Sequence, residues 1–371
     1  MNALMISKAL VVGAYHGKLR ELARLGVTLS LVVPSDWHGV APECTQASEY
    51  EIVQLKCIFS GRNHFHFYPA LGRMFRGRHW DIVHVDEEPF SLVTFQAMRL
   101  CAARDNRALF FTWQNLFKKY PLPFQMIERH NFDVAQAAVA GSAEAEQILR
   151  RRGFAKPISV IPQFGVDPHL FRKRDAGRLR EKLFLQSAFV IGYIGRVVEE
   201  KGLGDLLDAL ALLSEDCVLV VVGSGPHQVA LKRRSEEMGM KTRLRWVSAI
   251  ESTGVPEYLN AFDVLVLPSR TRRNWKEQFG RVLVEAMACE VPVIGSSSGE
   301  IPRVIADAGL VFPEGNAPEL AQCVRRLGDS GLRALYGKKG RARVLAYFTH
   351  EQIARQTVRV YRSVLSGETC V

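Results

Sequence analysis

The 371-residue sequence predicts an α/β fold of two Rossmann-like, doubly wound domains, on three observations. The chain is too long for one ordinary core and comfortable for two of similar size. Short runs rich in Val, Ile and Leu recur along it, continuous rather than alternating, as strands buried on both faces of a parallel sheet read. Helical patterns separate most of those runs, which implies βαβ units.

In the first half the expected strands are 9–13, 28–34, 82–85, 109–112, 137–140 and 158–162. In the second half they are 190–194, 218–222, 244–247, 264–267, 291–294 and 309–311. The opening run is read as a strand, not a signal peptide, because His16 and Lys18 follow it directly without a small-residue cleavage site. A helix is expected over 19–25, and others over 206–213 and 282–288. The apolar pattern lapses across 163–187, giving domains at 1–170 and 171–349. A last helix starts at Thr349, where Gln352 completes a capping-box signature. Ile353, Val360, Tyr361 and Val364 give it an apolar face.

Apolar residues make up 47% and charged residues 23%, the balance of a soluble globular enzyme. No apolar run approaches the ~20 residues that cross a bilayer. The seven cysteines are scattered with no Cys-x-x-Cys pair, which argues for a reducing, cytoplasmic compartment and against structural zinc. The net charge of +11 is spread over both halves and suits nucleic acid, anionic lipid or a phosphate-rich substrate.

The most informative segment runs from Glu277 to Ala288, after the strand ending Leu267-Pro268-Ser269. It therefore lies at the carboxyl end of a parallel strand, where open α/β sheets bind ligands. Gly280 permits a tight entry into the helix, and Glu285 falls in its second turn. Side chains lean toward a helix's N-terminus, so the Glu285 carboxylate returns toward the mouth. Between the acids, Phe279, Gly280, Arg281 and Val282 bring backbone N–H groups and the positive end of the helix dipole, suited to a phosphate. A carboxylate has acceptors enough for both hydroxyls of a ribose diol. A second constellation, Gly192 to Gly202, follows the first strand of the second half and contains Gly195, Arg196 and Lys201. Arg196 suits bidentate phosphate binding, and Lys201 adds a point charge. A Gly-rich turn at Gly223-Ser224-Gly225 ends the next strand.

Together these motifs resemble the retaining glycosyltransferases of family 4, which have the two-domain GT-B fold with a central cleft. The resemblance is sharpest over 192–313, and it extends to Gly165-Val166-Asp167, Ala261-Phe262-Asp263 and a final helix, 350–371, crossing back to the first domain. It implies that the first domain binds an acceptor and the second a nucleotide-sugar. It further implies that Arg196 and Lys201 neutralise the donor diphosphate, that Glu277 contacts the donor sugar, and that Glu285 binds the ribose. Charge growing on the leaving diphosphate calls for preorganised cations and N–H groups. The metal-dependent design uses Asp-x-Asp, which the chain lacks, so no metal or cofactor is expected.

The sequence also departs from the family pattern. Where many relatives carry a His after a Thr-aromatic pair, this chain has Gln114, which hydrogen-bonds but cannot act as a base. Asp86 and Glu87, in His84–Pro89 at the end of an earlier strand, are candidates to hold or deprotonate an acceptor hydroxyl, or else caps for the helix near Ser91. His16, in a first turn lacking the usual Gly-Gly pair, is a candidate acceptor contact or a solvent-exposed turn residue. Two basic, aromatic stretches, 65–80 and 116–124, read either as peripheral contacts with an anionic membrane or as ordinary segments with a solvated face. The rival functions are a UDP-sugar 2-epimerase of the same architecture, a non-catalytic glycosyltransferase-like binding protein, and a nucleic-acid binder. The last has no supporting motif.

Overall fold

The computed structural model describes residues 1–44 and 46–367. The chain forms two compact units, Met1–Gly165 with His350–Val371, and Val166–Thr349.

The first unit is built on seven parallel strands: β1 (Asn2–Ile6), β2 (Thr28–Pro34), β3 (Glu51–Leu55), β4 (Ile82–Val85), β5 (Arg107–Thr112), β6 (Ala137–Ala140) and β7 (Ile158–Val160). Their order is β3-β2-β1-β4-β5-β6-β7, so the winding reverses between β1 and β4, where Met5 stands opposite His84. The opening strand differs from expectation. Residues 2–6 pair with β2 and β4, while Ala9–Val11 and Gly13–Tyr15 form short 3-10 turns. Ala3–Ile6 is the run buried on both faces, and the Lys8 N–H is then drawn off the ladder to Glu87 Oε1 at 2.8 Å. β3 was not expected from the sequence. It is an edge strand, half-exposed, with Glu51 fixed by Ser30 and Arg78.

The basic aromatic stretch 65–80 folds inward. Tyr68, Leu71, Met74, Phe75 and Trp80 enter the core under one face of the sheet. Arg73, Arg76 and Arg78 point outward, and Arg78 pairs with Glu51. From Tyr68 on this is an ordinary segment with a solvated face, while Phe65 at its start is exposed. On the other face the closing helix, His350–Ser366, packs against the helix Gly17–Arg24. Ile353, Val358, Tyr361 and Val364 share one core cluster with Leu19, Leu22, Leu29 and Leu31. The Tyr361 hydroxyl reaches inward to hydrogen-bond His84 Nδ1 at 2.8 Å.

The second unit has six parallel strands: β8 (Phe189–Ile194), β9 (Cys217–Val222), β10 (Leu244–Val247), β11 (Val264–Leu267), β12 (Val293–Ser296) and β13 (Leu310–Phe312). Their order, β10-β9-β8-β11-β12-β13, puts the reversal between β8 and β11. This unit starts at Val166 because the Val166 N–H bonds Phe348 O at 2.9 Å, and Phe171 is buried in its core. Residues 166–170 therefore pack with the second unit.

Candidate functional site

In the second unit the residues singled out from the sequence gather at the carboxyl ends of β8, β9 and β11, beside the point where the strand order reverses. Such reversals leave a crevice that ligands fill in open α/β sheets. Glu277 lies in the loop after β11 and is only 7% exposed. Its Oε2 accepts from Ser269 Oγ at 2.7 Å and from Lys201 Nζ at 2.6 Å. Lys201, in the turn after β8, also lies 5.0 Å over the Trp275 ring. A buried carboxylate is tolerable only with such partners. The Glu277 carbonyl is held from behind by the Glu300 N–H at 3.2 Å. A side chain at residue 299 would start 1.9 Å from that carbonyl, so Gly299 (φ 56°) is what lets the two segments touch.

The glycine pair is a contact in its own right. A Cβ on Gly223 would lie 2.0 Å from Gly195 O, so the turns after β8 and β9 abut through their backbones. Arg196 follows on the same turn. The Tyr193 hydroxyl donates to its carbonyl at 2.7 Å. The Arg196 guanidinium is exposed and has no ion pair among the described residues. Gly280, in the left-handed region, is the N-cap of the helix Arg281–Ala288. Within that helix Arg281 Nε donates to Glu285 Oε1 at 2.8 Å. Burial raises the Glu285 carboxyl, and Arg281 opposes the rise. The Arg281 side chain thus orients Glu285, while the donor-binding role expected of Arg281 from the sequence rests on its backbone N–H. The helix's first turn still presents its dipole.

The first-unit candidates are placed differently. Asp86 is buried, its Oδ2 accepting from Ser7 Oγ at 2.7 Å and Gln163 Nε2 at 2.9 Å. Burial raises its carboxyl against the pull of Lys18. Glu87 binds the backbone and ammonium of Lys8. Neither acid caps the helix Leu92–Ala102, whose Ser91 N-cap makes no side-chain capping bond. Glu88, the next residue, accepts from Thr112 Oγ1 at 2.5 Å and from the Trp113 N–H at 2.8 Å. Burial pushes its carboxyl up to about 7. Gln114 donates one amide N–H to Leu116 O, and the amide has a second N–H besides. His16 is fully buried, not a solvent-exposed turn residue. Its ring nitrogens meet Tyr50 Oη at 2.6 Å and Leu10 O at 2.7 Å, and burial lowers its pKa.

The sequence profile described as Glycosyltransferase Family 4 matches residues 17–170, and that of Glycosyl transferases group 1 matches 176–343. The chain belongs to glycosyltransferase family 4. One relative is the N-acetyl-alpha-D-glucosaminyl L-malate synthase of Bacillus anthracis, 29% identical over 64% of this chain and 62% of that protein. Another is a GDP-mannose-dependent phosphatidylinositol monomannoside mannosyltransferase of Corynebacterium glutamicum, which acts on the monoacylated form. It is 30% identical over 54% and 55%. The chain thus spans about three fifths of these curated relatives' length. Among solved structures, sucrose-phosphate synthase from Thermosynechococcus elongatus superposes with TM-score 0.77 at 22% identity, covering 99% of this chain and 100% of that one. Anabaena HepE in complex with UDP gives 0.76 at 18%, covering 98% and 100%. At such identities the likeness establishes the GT-B fold alone.

In this family 4 chain, sequence reasoning missed the supports around Glu277. Ser269 was visible only as the end of a strand. Trp275 and Gly299 lie in loops with no periodic pattern, and their roles depend on contacts between segments distant in sequence. Among the described residues no cluster of His, Cys, Asp or Glu is arranged to hold a metal ion. No helix among them is long and apolar enough to cross a membrane.

Proposed function

We propose that the protein is a retaining, metal-independent glycosyltransferase that moves a sugar from a nucleotide-sugar donor to a glycan or lipid-linked acceptor, in polysaccharide or cell-envelope synthesis. The observation that carries this reading is the bonding of half-buried Lys201 and buried Ser269 to buried Glu277, beside the exposed Arg196 at the carboxyl edge of the second sheet.

Donor cleavage leaves a nucleoside diphosphate, so negative charge grows on the leaving oxygen. Arg196 and Lys201 stabilise that charge, with the Gly195 and Gly223 turns and the Phe279–Val282 backbone cradling the phosphates. Because Lys201 is already held by Glu277, it needs little reorganisation when the charge develops. Glu277, fixed in place by the same pair, contacts the donor sugar. Glu285, oriented by Arg281, accepts from the ribose hydroxyls. In this reading unit 2 binds the donor and unit 1 the acceptor, with Asp86, Glu87 and Glu88 at the edge of its sheet. The protein works in the cytoplasm, at the inner face of the membrane.

The test is nucleoside diphosphate release from UDP-, GDP- and ADP-sugars, with and without chelator and with lipid extracts or oligosaccharides as acceptors. Release that depends on an acceptor supports transfer rather than epimerisation. Glu277→Ala should lower it by roughly 100-fold or more, the scale of losing one preorganised electrostatic group. Undiminished release in that variant would sink the assigned site, and loss of activity with chelator would contradict metal independence.

A further inference from the structure

The second basic aromatic stretch, 116–124, does not fold inward as 65–80 does. Phe117 is 46% exposed, and in the following helix, Leu122–Val134, Leu122 is 73% and Met126 71% exposed. Residues 122, 125, 126 and 129 fall on one face of that helix by their i, i+3, i+4, i+7 spacing. The opposite face is anchored by Asn131, whose Nδ2 donates to Pro89 O at 2.7 Å, and one flank by Phe132, which stacks on Phe110. The outward face of a soluble helix is ordinarily polar, yet this one presents Leu122 and Met126. Phe65, 47% exposed, extends the surface by packing edge-on against Phe124 with ring centres 5.3 Å apart.

The apolar tip is held in place by the protein's own scaffold. Arg152 forks onto both oxygens of Glu128, lies 4.3 Å over the Tyr120 ring, and donates to Lys118 O at 2.8 Å. Arg151 sits 4.7 Å over Phe117. Phe117 is thus braced outward, on the rim of a groove of about 580 Å³. Exposed charges next to these side chains in sequence or lining that groove include Arg62, Lys118, Lys119, Arg129 and Arg151, with Asp133 an exposed acid of the lining.

We propose that this face of the first unit, with Phe65, Phe117, Leu122 and Met126 at its tip and lysines and arginines around them, docks on an anionic lipid bilayer. Exposed apolar side chains ringed by cations fit a surface that is apolar below and negatively charged above. A protein partner would more simply be met by an apolar patch without the excess of one charge sign. The surface would bring the first unit to a lipid-linked acceptor, a consequence that rests on the transferase reading, whereas docking itself does not.

The test uses the full chain without donor or acceptor, sedimented with vesicles of phosphatidylglycerol and phosphatidylcholine or of phosphatidylcholine alone. Binding should favour the anionic vesicles and weaken roughly tenfold in the double variant Leu122→Ser, Met126→Ser. Val229→Ser, at a residue 80% exposed on the second unit, should leave binding unchanged. A Phe117→Trp variant should shift its emission to the blue on anionic vesicles and be quenched by brominated acyl chains. Three results would overturn the proposal: no partition onto anionic vesicles, binding indifferent to the Leu122/Met126 changes with no quenching of the new tryptophan, or self-association that these changes abolish in place of lipid binding. Failure of the glycosyl-transfer assay alone would leave docking intact, so the two ideas fail separately.

Discussion

Glu88 shows how much of a residue's chemistry depends on neighbours that only the fold supplies. Its carboxyl, tied to Thr112 and Trp113, keeps its proton up to about pH 7, while the unfolded chain releases it near 4.5. Across that window the native state binds the extra proton, so stability falls as pH rises. His64 and His66, pushed down to about 4 by burial, act oppositely: the unfolded state binds their protons first, and stability is lost as pH falls from 6.5 toward 4. Glu88→Gln isolates the first effect. Relative to wild type, its urea-unfolding free energy should rise by up to ~3 kcal/mol as pH goes from 5 to 8. A difference that stays flat would mean Glu88 is ionised throughout. At this scale the sequence singled out Glu277, Glu285, Arg196 and Lys201 as candidates, because their spacing sits inside a distinctive local pattern. It named His16 and Asp86 as candidates but not their burial, which depends on Tyr50 and Gln163, residues far along the chain.

At the scale of elements, strands buried on both faces were the most legible, since β9 and β11 need unbroken runs of aliphatic residues to exist at all. β1 was misplaced because residues 9–13 are as apolar as residues 2–6. Only the pairing with β2 and β4 and the capture of Lys8 by Glu87 decide between them. β3 escaped notice because an edge strand needs only one apolar face. Turns make a sharper test of the geometry. Gly223→Ala forces a methyl to within 2.0 Å of Gly195 O, so the two turns must part. It should cost ~1–3 kcal/mol and weaken nucleotide affinity in calorimetric titration. Gly239→Ala is the comparison: at φ 68° with nothing within 4 Å, it carries only the ~1–2 kcal/mol of left-handed backbone strain and no effect on affinity. Equal affinities in the two variants would argue that the Gly195–Gly223 contact does not shape the site.

For the whole molecule, the two-sheet architecture was readable because each sheet has its own series of strand and helix signals. The allotment of residues 166–170 was not, since it turns on one backbone bond from Val166 to Phe348. The closing helix is the strongest link between distant parts of the sequence. Truncation after Thr349 would remove Ile353, Val358, Tyr361 and Val364 from the first unit's core. At ~1.5–3 kcal/mol for each buried side chain, that loss rivals the 5–15 kcal/mol that typically holds a whole domain together. Calorimetry of the truncated chain should therefore show the first unit's transition lost and the second unit's retained. Two surviving transitions would mean that the helix is dispensable.

The same helix sets an order of events during synthesis. Residues 1–165 leave the ribosome before the second unit, yet the element that covers Leu19 and Leu22 is made after it. The 184 residues of the intervening unit take roughly 10–40 s to translate at ordinary elongation rates. Throughout that interval the earlier-made half has an open apolar face while the later-made half is already free to close. Nascent chains of this protein should therefore acquire protease resistance from the middle outward, and the half that emerges first is the one that needs a chaperone's cover.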